Sequence, residues 1–372
     1  MKILHIITGL NVGGAEKVLQ SLLMSQKQEL SVVISLTSLG TIGQQLVDNG
    51  YSVFALNLKP YNVLFILFKL FKLIRHHKPD IVQTWLYHAD LLGGLAAKFA
   101  GIRYIVWGIR TTELRKGSFT TSFIRKILAY CSYWVPAKIV VVAERSKEKH
   151  AHLGYDISKM LVIHNGFNLN SVNVSAELPV DLKRIASIKD NEITIGCVGR
   201  SCQVKGQDVF IKAAGLVLQK FPKVRFIMVG RGLEYKNDQI ISQIEVNASL
   251  DNFILLGERS DVDMCLRATD VFCLPSRSEG FPNSLGEAML LGIPCVSTDA
   301  GDASLLGGED VPIARVDDPE DLADKLISVI NMSHQKRHQI GQRLRQRIID
   351  FFSLEIMIGR YQALYEDILR ED

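Results

Sequence analysis

No two of the six cysteines (Cys131, Cys197, Cys202, Cys265, Cys273 and Cys295) stand in C-x-x-C spacing, and no metal-ligand cluster forms around them. Several sit inside apolar runs such as "VFCLP" and "IPCVS", so buried, reduced thiols of a cytosolic protein are the expectation. The sequence also lacks G-x-G-x-x-G, which excludes a dinucleotide-binding dehydrogenase, and lacks the G-K-[ST] of a P-loop. Only one D-x-D occurs, Asp261-Val-Asp263. It reads as the first turn of a helix, where acids complement the dipole, rather than as a metal site. No apolar run reaches the ~18–20 residues of a membrane span. The longest, "VLFILFKLFKLI", carries Lys69 and Lys72. The opening "MKILHIITGL" turns polar too soon for a signal peptide and reads as a first strand.

What is present is a chain of 372 residues, 47% hydrophobic. That length fits two domains with large buried sheets. The net charge of +4 is unevenly placed. Residues 1–170 hold 20 Lys and Arg against 9 Asp and Glu, a net of +11. Residues 171–372 hold 23 against 30, a net of −7. A basic first half suits an anionic partner: a membrane surface, a phosphorylated lipid or nucleic acid.

Short apolar runs alternate with amphipathic stretches. Strands are expected at 2–8, 31–36, 52–56, 80–85, 104–108 and 138–143. After a polar interval at 168–191, where a linker is placed, more are expected at 193–199, 224–230, 253–257, 271–275 and 294–298. Most of the first-half runs are apolar throughout, as in strands buried on both faces, and the βαβα rhythm predicts doubly wound parallel sheets. The expected boundaries are 1–170, 171–351 and a terminal helical segment 352–372. In such sheets ligands bind beyond the carboxyl ends of the strands, so the loops that follow strands carry the chemistry.

Three of those loops are unusual. "TGLNVGGAEKV" places Gly13 and Gly14 at a helix start, where backbone N–H groups can face an anion; a plain tight turn looks the same. "GRSCQVKGQD" places Arg200 and Lys205 around the next such turn, as a diphosphate would need, although either could be a solvated surface cation. "SEGFPNSLGEAML" sets Glu279 and Glu287 eight positions apart around Pro282. Ser284-Leu-Gly-Glu287 matches a capping box, which accounts for Glu287 but not for Glu279. Pro282 disfavours the α conformation at Phe281, so Asn283 and Ser284 stand at the start of the helix after it, with Glu287 expected in its first turn. His88, in "QTWLYHADLLGG", also follows a strand, with Asp90 beside it.

Taken in order, "GGAE", "WLYHADLLGG", "WGIR", "HNGF", "GR…KG", "FIMVGRG", "GERSDV" and "LPSRSEGFPNSLGEAMLLGIPCVSTDAG" resemble glycosyltransferase family four over nearly the whole chain. The E-x7-E pair is its most specific mark. The resemblance implies an α/β GT-B fold: two facing Rossmann-like domains with a cleft between them, and the terminal helix crossing back to the first. It implies a retaining enzyme that uses a UDP- or GDP-sugar as substrate, with no cofactor and no divalent metal. Glu287 would hold the ribose hydroxyls, and Glu279 would lie against the donor sugar. Backbone around Phe281, Asn283 and Ser284 would cradle sugar and diphosphate. Arg200 and Lys205 would neutralise the leaving diphosphate. Gly13 and Gly14 would approach the phosphates, Arg231, Glu258 and Arg259 would line the base pocket, and His88 would sit near the transferred sugar or the acceptor. Asn168 departs from the acid common in relatives, and Cys202 is unusual beside the phosphate pair.

The resemblance and the charge asymmetry together point to a glycan or polyprenyl-diphosphate-linked acceptor of polysaccharide or lipopolysaccharide biosynthesis. The expected place is the cytoplasm, in peripheral contact with the inner membrane face, with no nucleic acid bound. Segments 63–78 and 114–134 mix cations with apolar and aromatic groups and suit either an interfacial helix or ordinary packing. A nucleotide-sugar epimerase of the same fold and a non-catalytic sugar-nucleotide scaffold are the alternatives. The E-x7-E pair and the basic first domain count against the epimerase. Intact Glu279, Glu287, Arg200 and Lys205 count against the scaffold.

Overall fold

The computed structural model describes residues 1–110, 119–171, 182 and 192–370. The chain forms two compact units: Met1–Gly166 with Leu354–Asp372, and Phe167–Ser353. Most of the interval 168–191, and residues 114–118 of the second basic segment, lie outside the described residues.

Unit 1 is built on seven parallel strands, β1 (Ile3–Ile7), β2 (Ser31–Ser35), β3 (Ser52–Ala55), β4 (Ile81–Trp85), β5 (Tyr104–Ile109), β6 (Lys138–Val141) and β7 (Met160–Val162), in the order β3-β2-β1-β4-β5-β6-β7. Every residue of β1 is buried. Its alternation explains why: Leu4 and Ile6 join one core with helices Val63–His77, Tyr87–Phe99 and Phe119–Cys131, while Ile3 and Ile7 join the opposite one. That second core is sealed by helices Gly14–Met24 and Leu354–Arg370, the latter through Met357, Tyr361, Leu364, Tyr365 and Ile368. A strand with apolar side chains on both faces therefore has a helical layer on each side.

Unit 2 repeats the plan with β8 (Thr194–Val198), β9 (Arg225–Val229), β10 (Phe253–Gly257), β11 (Val271–Leu274), β12 (Cys295–Thr298) and β13 (Ile313–Ala314), in the order β10-β9-β8-β11-β12-β13. The fold is α/β, with two Rossmann-like parallel sheets. β7 and β13 were not expected from the sequence: three and two residues are too short to show a pattern, and each is recognisable only by its pairing with a neighbour. The remaining strands match the expected ones within a residue or two at each end.

The strand orders locate the functional edge. In unit 1 the winding reverses between β1 and β4, and in unit 2 between β8 and β11. Loops leaving those four strands meet at the two switch points, where doubly wound sheets bind ligands. They are the loops that carry Gly13 and His88 in one unit, and Lys205 and Glu279 in the other.

Candidate active site

In unit 2, the loop after β8 makes a single 3₁₀ turn, Gln203–Lys205, and then enters helix Gln207–Lys220 through Gly206. Gly206 has φ +66°, and a Cβ there would stand 2.0 Å from the carbonyl oxygen of Pro275. Only glycine lets the two switch-point loops come this close. The buried amide of Gln207 ties the loop back, donating to the carbonyls of Gly199 (3.3 Å) and Arg200 (3.0 Å).

That close approach brings two sequence candidates together. Lys205 Nζ donates to Glu279 Oε1 at 2.7 Å, and Ser276 Oγ donates to the same oxygen at 2.6 Å. The carboxylate is only 10% exposed and the ammonium 27%. Charge-assisted bonds of this length fix both side chains. Arg200 is exposed at the same edge.

The helix after β11 spans Asn283–Leu290, with Pro282 at its N-cap position and no side-chain cap. The capping-box reading is therefore corrected: Ser284 lies inside the helix, not before it. Glu287 falls past the first turn, which holds no acid, and is exposed. With Ser284 as N-cap the helix would begin at Leu285; it begins two residues earlier, directly after Pro282. Pro282, at the N-cap position, has no side-chain acceptor with which to cap the Asn283 and Ser284 end of the helix. Phe281 is buried, its ring 6.0 Å from that of Phe167 and 5.7 Å from that of Phe352, so its side chain packs the core. Gly286 is demanded by the same cluster, since a Cβ would fall 1.9 Å from the Phe167 ring. Asn168 Oδ1 accepts from the Asn170 N–H at 2.9 Å, a turn-forming role that a carboxylate would serve equally.

The remaining unit 2 candidates are paired with one another. Arg231 forks onto Glu258, Nε–Oε2 3.0 Å and Nη2–Oε1 2.8 Å, both well exposed. The hydrogen bond from Arg231 holds the Glu258 carboxyl below its ordinary pKa. Arg259 forks onto Asp261 at 2.8 and 2.7 Å and lowers that carboxyl in the same way. Asp261 occupies the N-cap position of helix Val262–Arg267, without a side-chain capping bond, and Asp263 sits in its first turn, which matches the helix-start reading of the D-x-D. Among the described residues no group of three or more His, Cys, Asp or Glu could hold a metal ion.

In unit 1, Gly13 is the N-cap of helix Gly14–Met24. The Glu16 side chain folds back over it: a Cβ on Gly13 would stand 2.3 Å from Glu16 Oε2. Desolvation raises the Glu16 pKa. His88 is exposed in the first turn of Tyr87–Phe99, its imidazole pKa lowered by desolvation. The turn before it passes through Leu86 at φ +74°. A non-glycine residue there stores strain, a mark of functional turns. Asp90 is not at the surface beside His88. It is fully buried, its Oδ1 accepts from Thr84 Oγ1 (2.6 Å) and the Gly108 N–H (3.3 Å), and burial lifts its pKa to about 8.

Sequence reasoning overlooked Ser276 and Arg277. Arg277 stands two residues before Glu279, in the run "LPSRSEGF", but nothing in a local pattern says where a long side chain reaches. Here it reaches Asp208 and Asp317.

Comparison with known proteins agrees with this architecture. The Glycosyltransferase Family 4 pattern matches residues 12–171, and the Glycosyl transferases group 1 pattern matches residues 192–332. The chain is 28% identical over 315 residues to the UDP-Gal:alpha-D-GlcNAc-diphosphoundecaprenol alpha-1,3-galactosyltransferase of Escherichia coli, covering 82% of this chain and 79% of that one. It is 26% identical over 364 residues to the N,N'-diacetylbacillosaminyl-diphospho-undecaprenol alpha-1,3-N-acetylgalactosaminyltransferase of Campylobacter jejuni, covering 94% and 93%. The crystal structure of Anabaena HepE in complex with UDP has the same fold, with a TM-score of 0.85 at 20% identity over 99% of this chain and 100% of that one. With these matches, the two Rossmann-like sheets are those of a GT-B glycosyltransferase. The chain belongs to glycosyltransferase family four.

Proposed function

We propose that this enzyme moves a hexosyl unit from a UDP-sugar to a polyprenyl-diphosphate-linked saccharide, with retention at the anomeric carbon, during assembly of a bacterial surface polysaccharide. The observation that carries the reading is the Lys205–Glu279 pair at the switch point of unit 2, in the loops that lead into helices Gln207–Lys220 and Asn283–Leu290. A cation, a carboxylate and a helix N-terminus are what a diphosphate-linked sugar needs: charge for the phosphates and an acceptor for sugar hydroxyls. In this reading the bond from the anomeric carbon to the diphosphate oxygen breaks and the acceptor hydroxyl attacks on the same face. Its proton passes to the departing phosphate oxygen. Lys205 and Arg200 stabilise the charge that develops there, which replaces a divalent metal. Glu279 faces the sugar and Glu287 the ribose. Arg231, Glu258 and Arg259 border the base. In unit 1, Gly13 and Gly14 are the candidates for phosphate contact and His88 for the sugar or acceptor. Both relatives named above are transferases acting on diphosphoundecaprenol-linked saccharides, which favours transfer over epimerisation.

A lipid-linked acceptor calls for contact with a membrane surface. No helix among the described residues is long and apolar enough to cross one. Helix Val63–His77 instead buries Ile66, Leu70 and Ile74 against the sheet and exposes Leu64 (82%), Phe65 (63%) and Phe68 (53%). No acid occurs between Asp48 and Asp80, whereas Lys59, Lys69, Lys72, Arg75 and Lys78 do. Apolar tips among cations suit the interface of an anionic leaflet.

A thermal-shift panel of UDP, GDP and their sugars tests the donor assignment, with wild type beside Glu287→Ala. The reading expects a shift with UDP and one UDP-sugar that the variant loses. No shift with any of them from folded protein would overturn it.

A further inference from the structure

We infer that Arg277 is a positioning residue that sets the place of Lys205 in the site; the inference rests on the diphosphate role proposed for Lys205. Arg277 follows Ser276 and precedes Glu279 by two residues, yet its side chain turns to the neighbouring loop. Its Nη1 donates to the Gln203 carbonyl and to Asp208 Oδ1, both at 2.7 Å. Its Nη2 donates to Asp208 Oδ2 at 2.7 Å and to Asp317 Oδ1 at 2.6 Å. Its Nε donates to Asp317 Oδ1 at 2.9 Å. Its backbone N–H donates to the Val204 carbonyl at 2.7 Å.

These contacts bracket Lys205. Gln203 and Val204 lie just before it in the chain, and Asp208 lies in the first turn of the helix just after. The lysine itself stands at the end of a three-residue turn, too short to hold its own geometry. Arg277 thus locks that turn to the loop that carries Glu279, while Asp317 ties both to the loop after β13. Asp317 adopts φ +61°, in the left-handed region that Asp and Asn tolerate better than other non-glycine residues.

Hydrogen-bond accounting separates this role from direct catalysis. A guanidinium has five N–H donors, and here five bonds to protein acceptors engage them. Nothing is left for a phosphate. Two carboxylates also outweigh its single charge, so the cluster adds no positive potential to the site. Lysine could not replace the fork, because an ammonium is a point charge without paired, coplanar donors.

The test is calorimetric and needs no acceptor. Kd is measured for UDP and UMP with wild type, Arg277→Lys, Lys205→Ala and the double variant. The UMP-to-UDP ratio reports the second phosphate, and UMP alone reports the rest of the pocket. We expect Arg277→Lys to weaken UDP by roughly fivefold or more and leave UMP within about twofold. Added to Lys205→Ala, it should change UDP by less than about twofold, since residues acting through one another are not additive. Asp317→Asn, at an exposed position where asparagine tolerates the same backbone, should shift the ratio in the same direction with UMP unchanged. Unaltered UDP affinity in Arg277→Lys, equal weakening of both nucleotides in both variants, or a full additional loss on Lys205→Ala would each overturn the inference. Wild type that binds no UDP overturns the proposed function along with it; wild type that binds UDP with a ratio indifferent to Arg277 overturns this inference alone.

Discussion

Lys205 Nζ rests 2.7 Å from Glu279 Oε1, although 74 residues separate them in the chain. The two charges satisfy each other until a diphosphate competes for the ammonium. Glu279→Gln removes the competing charge and keeps the shape. It should bind UDP at least as tightly as wild type, while turnover falls by roughly tenfold or more because hydroxyl recognition at the sugar is weakened. Lys205→Ala should lower turnover by about 10²–10³, the usual loss for one donor to a developing oxyanion. Calorimetry with UDP, set beside donor consumption, checks both. Weaker UDP binding in Glu279→Gln would show that the carboxylate assists the nucleotide instead of competing with it.

Glu287 stands exposed on helix Asn283–Leu290, past its first turn. A polar contact of an exposed carboxylate is worth at most about 1 kcal/mol, so Glu287→Ala should lower the unliganded melting temperature only slightly. Loss of charged hydrogen bonds to ribose should weaken UDP by about tenfold or more. A melting curve and a UDP titration on the same preparation separate these effects. A lower melting temperature with intact UDP affinity would return Glu287 to a purely structural role.

Asp90 gives a pH dependence of known sign. Burial raises its pKa to about 8, far above an unfolded aspartate, so the folded state keeps a proton that the unfolded state releases. Stability from this group is fully present below pH ~4 and is lost as pH rises toward 8, by about 1.4 kcal/mol per unit. His150 and His5 act in the opposite sense. Burial lowers them to about 4 and about 3, so their contribution is present above pH ~6.5 and lost below it. Between pH 6.5 and 8 the Asp90 slope therefore stands apart. Asp90→Asn should remove roughly 2 kcal/mol of stability loss across that interval relative to wild type. Urea unfolding at several pH values measures it; parallel curves for the two proteins would refute the buried-acid account.

The apolar tips of Val63–His77 predict a surface effect separable from chemistry. Phe65→Ser with Phe68→Ser should cut binding to anionic phospholipid vesicles by roughly tenfold or more, through lost burial of apolar area. Affinity for soluble UDP should not change. Wild-type binding should also weaken as salt is raised, because the neighbouring lysines act through a screened field. Cosedimentation with vesicles of anionic and of neutral lipid checks this. Equal binding by the double variant would remove the helix from the membrane-contact reading.

Much of the fold is legible in the chain because buried parallel strands announce themselves. "ILHII" and "SVVIS" are buried at every position and apolar at nearly all. The two short strands, Met160–Val162 and Ile313–Ala314, are not legible, since only a partner strand defines them. Within the site, glycine, lysine and glutamate could be named one by one from the loops that follow strands. Their pairing could not, because it depends on how closely Gly206 lets the chain approach Pro275. The Ser284–Glu287 spacing misled for a related reason. It fits a capping box, but the helix already begins at Asn283, directly after Pro282. Arg277 shows the limit most clearly: its neighbours in sequence are serines, and its partners lie 69 and 40 residues away.

The helix Leu354–Arg370 belongs to unit 1, yet the ribosome makes it only after all of Phe167–Ser353. Until then Ile7, Trp85 and Val140 lack the Tyr361 and Tyr365 side that covers them. Unit 2, encoded without interruption, can close first, and the unit begun first must finish last. The nascent chain therefore carries an uncovered apolar sheet face through most of its synthesis. An early stop codon that spared every residue of the proposed site would still yield a protein prone to aggregate.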